Sequence, residues 1–239
     1  HLANGADYKR SLFFAGVTNA CRPEIGTPAT SPPGAEGDPH VTSVTGERFD
    51  LWKTGWSSFL QIPRSSSDVV KLQVLGNVQP YFSAQCAPAY LHEVIINGSW
   101  LGERTISIRA GSLESNTPLA VSINDQVPMM IDNADGTEFL SDGDLQVLGR
   151  IGTSEPEKWG PDANVHVEIG AVRIEVAQHT EGRGEDSQSM LDMTLAGLDN
   201  VPDTMGGWLG FDGSSNAGEA PRECGTQLLQ TQGSLHAQR

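Results

Sequence analysis

Val165-His166-Val167-Glu168-Ile169-Gly170-Ala171-Val172-Arg173-Ile174-Glu175-Val176 decides the fold class. Apolar and polar residues alternate on both sides of Gly170-Ala171. This is the period of a half-buried strand, whose successive side chains point to opposite faces. Val165, Val167 and Ile169 fall on one face, His166 and Glu168 on the other. The stretch reads as two antiparallel strands joined by a tight turn.

Outward from this hairpin, short β-branched and apolar runs recur between turn signals at 40–44, 47–52, 57–62, 69–78, 91–96, 105–109, 119–123 and 146–151. With the two strands above they make ten, which predicts an all-β antiparallel sandwich or curled meander. Asn97-Gly98, between Val94-Ile95-Ile96 and Trp100-Leu101, reads as a second hairpin turn, since both residues tolerate positive φ. Stretch 190–198 admits a short helix, but the alternation of Leu191, Met193 and Leu195 favours a strand. Residues 22–37 are rich in Pro, Gly, Ser and Thr with no period, and read as a linker after an N-terminal docking segment, 1–21. The β domain is expected over 38–216, followed by a tail over 217–239.

The 239 residues suffice for a sizeable core. Fifteen Lys and Arg against thirty Asp and Glu give a net charge of -15, which repels phosphate backbones and anionic lipid surfaces. Nucleic acid is therefore not an expected partner, and no apolar run reaches the length of a membrane-spanning helix. The chain starts at His1 without a basic or apolar leader, as expected of a processed or truncated end. Cys21, Cys86 and Cys224 allow at most one internal disulfide, whose pairing the sequence leaves open.

Gly37-Asp38-Pro39-His40, followed by Gly46 and by Phe49-Asp50, resembles the opening of von Willebrand factor type D domains. Trp56-Ser57-Ser58-Phe59-Leu60-Gln61-Ile62 sits where such domains place their third strand. Met205-Gly206-Gly207-Trp208-Leu209-Gly210-Phe211-Asp212-Gly213 resembles their closing segment. The likeness covers most of the chain and identifies a cysteine-poor, divergent member. It implies a non-catalytic protein-binding and assembly module, in an extracellular or lumenal setting, with other protein chains as partners. It also implies a calcium site in which Thr45 and Gly210 replace two usual ligands, leaving Asp212 and Asn216, with Asp203 as a further acid. These fall short of the six to eight oxygens calcium takes, so calcium is a candidate ligand and no cofactor is required.

In some proteins with this motif the Asp-Pro bond cleaves itself, which makes Asp38, Pro39 and His40 a candidate self-cleavage site, with His40 donating a proton. The plainer reading, a turn cap followed by an edge strand, is the one the residue types favour. His92-Glu93 lacks the second histidine of a zinc protease motif, because Ile96 stands in its place. Ile131-Asp132-Asn133-Ala134-Asp135-Gly136 fails the register of a calcium loop and reads as an acidic turn. No nucleophile elbow, phosphate loop or dinucleotide fingerprint occurs. An acid-rich hydrolase would need a pocket with converging carboxylates.

Asn97-Gly98-Ser99 is a glycosylation sequon. Of the five tryptophans, Trp52, Trp56, Trp100 and Trp208 are expected to pack within the domain. Trp159, in a polar loop, is the candidate partner anchor. The alternative function is a structural accessory subunit of a larger multi-chain complex, docked through its terminal segments.

Overall fold

A computed structural model describes residues 32–36, 40–65, 69–80, 89–112, 117–131, 136–151, 163–181 and 188–220. The N-terminal segment, Asp38, Pro39, Trp159 and all three cysteines lie outside the described residues. The strands are β1 (Gly34–Glu36), β2 (His40–Thr42), β3 (Arg48–Asp50), β4 (Gly55–Ile62), β5 (Leu72–Gln79), β6 (Tyr90–Asn97) and β7 (Ile106–Ser112). They continue with β8 (Thr117–Ile123), β9 (Met129–Met130), β10 (Thr137–Asp142), β11 (Leu145–Ile151), β12 (Ala163–Ile169), β13 (Val172–Glu181) and β14 (Gln188–Ala196).

They form two antiparallel sheets. One runs in the order β10-β11-β12-β13-β14-β1-β2-β3, and the other is an uninterrupted meander from β4 to β9. The sheets face each other, with β14 against β6 and β7. Alternation drives the packing: Leu72, Val74 and Val78 of β5 and Val165, Val167 and Ile169 of β12 turn inward, while Gln73, Leu75, Asn77, His166 and Glu168 between them are only half-buried. Removing these apolar faces from water is the main stabilising term. The two sheets are also tied by a hydrogen bond, since the Gly111 amide of β7 donates to Gln178 Oε1 of β13 at 2.7 Å.

The architecture is the expected all-β sandwich, with Ile169 opposite Val172 across the two-residue turn Gly170-Ala171. Stretch 190–198 is mostly strand, in β14. Three expectations need correction. Gly34–Glu36, placed in the linker, is a strand pairing with both β14 and β2. Asn97-Gly98 does not make a two-residue hairpin: Gly98 has φ 127, and a Cβ there would strike the backbone at Lys71. The chain instead runs through a 3-10 turn, Ser99–Leu101, before β7. Ala217, assigned to the tail, is buried, and its carbonyl accepts from the Trp52 and Lys53 amides, both at 2.9 Å.

A bulge in β4 changes which of its side chains face outward. Ser58 pairs with Leu75 and Leu60 with Val74, so Phe59 is an extra residue. Phe59 and Leu60 are both buried as a result, and the face reverses along the strand. Trp56, which simple alternation from Leu60 and Ile62 would bury, is thrown outward and is 47% exposed. The expectation that Trp56 packs inside is therefore corrected.

Candidate functional site

The opening turn and the closing segment meet beside the edge strand β4. The turn between β2 and β3 is closed by Ser43 N donating to Glu47 O at 2.9 Å and Gly46 N to Ser43 O at 2.9 Å. From it, the Val44 amide donates to Leu209 O at 2.8 Å, and Ser214 Oγ donates to the Glu47 carboxylate at 2.5 Å.

On its other side the closing segment lies along β4 as a short added strand. Gln61 and Gly206 exchange both backbone hydrogen bonds, at 3.0 and 2.9 Å, and the Leu209 amide donates to Phe59 O at 2.7 Å. Gly207 makes this approach possible. Its φ is +86°, and a Cβ would stand 2.6 Å from Phe59 O, so only glycine fits. Trp208, almost fully buried, packs edge-on against Phe59. Its indole N–H donates to Ser215 O at 3.2 Å. Asp212 fixes the loop: Oδ2 accepts from the Gly207 amide at 2.5 Å and Oδ1 pairs with Arg64 Nη2 at 2.7 Å.

Between β4 and this loop lies an open cleft of about 510 Å³ whose lining includes Trp56, Gln61, Arg64 and Asn216. Lys53 stands at its rim, and Ser57 and Ser58 also border it. Their two hydroxyls are covered and have no hydrogen-bond partner among the described residues. Phe211 projects from the same loop, 50% exposed. Trp56, Arg64 and Phe211 are not singled out as site residues by the sequence. Only the β4 bulge turns Trp56 outward, and a bulge leaves no residue signature in this run.

The nominated calcium residues are engaged separately. Asp203 pairs with Lys71 Nζ at 2.8 Å, and Asp212 is held by Arg64 and the Gly207 amide. Asn216, at φ 62, is exposed at the cleft. Asp212 and Asn216 therefore share a site that Asp203 does not line. No group of three His, Cys, Asp or Glu side chains is placed to hold a metal among the described residues.

His40 begins β2 on the outer face, its Nδ1 2.6 Å from Asp50 Oδ1 across the strand pair. Asn97 ends β6 half-buried, opposite Gln73. His92 is half-buried on β6, and burial pushes its imidazole below the ordinary 6.5 because desolvation disfavours the cation. Its neighbour Glu93 accepts from Ser107 Oγ at 3.0 Å. Asp142 pairs with Arg104 at 2.5 Å.

Chemically, the arrangement offers an aromatic face, an ion pair, amides and hydroxyls around an open groove. These are groups for holding a ligand. No helix among the described residues is long and apolar enough to cross a membrane. No protein-family model matches the chain, and no curated protein matches its sequence.

Proposed function

We propose that the chain is a non-catalytic protein-binding and assembly module of the von Willebrand factor type D kind. The observation that carries this reading is the meeting of the two stretches that resemble the family. Val44 and Glu47 of the opening turn are bonded to Leu209 and Ser214 of the closing segment, although the two lie at opposite ends of the domain. The exposed Phe211, set on a loop fixed by Asp212 and Arg64, supports docking, because a rigidly held aromatic costs little entropy on binding. The same reading places the protein outside the cell or in a lumen, with other protein chains as partners, and requires no cofactor.

The test is native mass spectrometry of the protein taken from its source. The expected result is a heteromeric particle containing this chain in fixed stoichiometry. A chain that is monomeric throughout, or that turns over a substrate and loses that activity when one pair of its acids is neutralised, would overturn the proposal.

A further inference from the structure

The cleft beside β4 carries chemistry that protein assembly does not use. Trp56 lies in its lining with nearly half of its surface open, on the part of β4 before the bulge, where its position is set by backbone pairing with Asn77. Around it stand Gln61, whose Nε2 donates to Pro63 O and Arg64 O and whose Oε1 accepts from Gln73 with a second lone pair left to offer, and Asn216, whose exposed amide both donates and accepts.

A flat aromatic face flanked by side-chain amides complements one ligand class in particular. A pyranose ring presents an apolar C–H face suited to stacking on an indole, and rim hydroxyls that both donate and accept. Charge narrows the class further. Arg64 is already neutralised by Asp212 at 2.7 Å, and the chain as a whole carries -15, so an anionic sugar would find only Lys53 to meet it.

We infer that this cleft is a binding site for a neutral saccharide, stacked on Trp56 and hydrogen-bonded by Gln61 and Asn216. The inference goes beyond the assembly reading and does not depend on it: a module that binds no sugar still assembles, and a monomer still binds sugar.

The probe is an array of immobilised neutral, sulfated and carboxylated oligosaccharides, incubated with the labelled full-length chain and with its W56A and N216A variants. Near-UV circular dichroism checks that both variants keep the native fold. Trp56 is on the surface, so W56A should fold. The expected result is retention on neutral oligosaccharides, weakened roughly tenfold or more by W56A and less by N216A. The inference is overturned if no glycan is retained above the W56A background, if W56A binds as well as the parent chain, or if the signal is confined to anionic glycans.

Discussion

Trp208 meets Phe59 edge-on, with ring centroids 5.1 Å apart and planes inclined at 74°. One ring belongs to the closing segment and the other to the bulge of β4, so this contact fastens the loop to the sheet. Trp208→Ala should cost about 3–5 kcal/mol, the usual loss for a buried tryptophan. Trp208→Phe, which keeps an aromatic contact but loses the indole N–H to Ser215, should cost less. Urea unfolding of both variants measures the difference, and equal losses would mean that the aromatic contact contributes nothing.

Gly76 shows how tightly the bulge is packed. A Cβ there would stand 2.3 Å from Phe59 Cε2 and 2.8 Å from Leu91 Cδ1. Gly76→Ala should therefore destabilise by about 1–3 kcal/mol through overpacking, despite the better strand propensity of alanine. Adding Phe59→Leu should recover part of that loss, and a double-mutant cycle reads the coupling. Strict additivity would show that the two sites do not meet.

The bond from the Gly111 amide to Gln178 Oε1 joins the two sheets, and Gln178 is one of the few polar side chains buried among the described residues. Gln178→Met keeps the volume but strands the amide, at a cost of about 1–3 kcal/mol. Thermal unfolding of the variant checks this, and an unchanged midpoint would contradict it.

His92 gives the fold a pH dependence of known sign. Desolvation holds its folded-state pKa below 6.5; Glu93 opposes this and Arg109 adds to it. As pH falls through 6.5, the unfolded chain takes up a proton that the folded chain refuses, so His92 contributes stability above that pH and withdraws it below. Chemical denaturation of the parent and of His92→Gln at about pH 7.5 and about pH 5.5 should show a smaller acid loss in the variant. Parallel losses in the two proteins would show that His92 does not set the acid sensitivity.

Much of the fold is legible in the sequence because it is local. The hairpin at Gly170-Ala171 carries its alternation on both arms, and β5 and β12 show the same period of two. The elements that the sequence hides depend on remote pairing. Gly34–Glu36 has no strand signal of its own and becomes a strand because β14 and β2 lie on either side of it. Thr137–Asp142, hidden among acidic turn residues, is fixed by pairing with β11 across a bulge. The site is half legible. The closing segment and Asp212 stand out as a motif, whereas Trp56 reads as a core residue until the extra residue at Phe59 reverses the face.

Hydrogen exchange on the chain, free and within the particle isolated from its source, tests the binding surface itself. Amides around Phe211, from Met205 to Asn216, should gain protection in the particle while those of β11 and β12 do not change. Unchanged exchange through that loop, with protection gained elsewhere, would contradict the claim that the joined opening and closing segments present the binding surface.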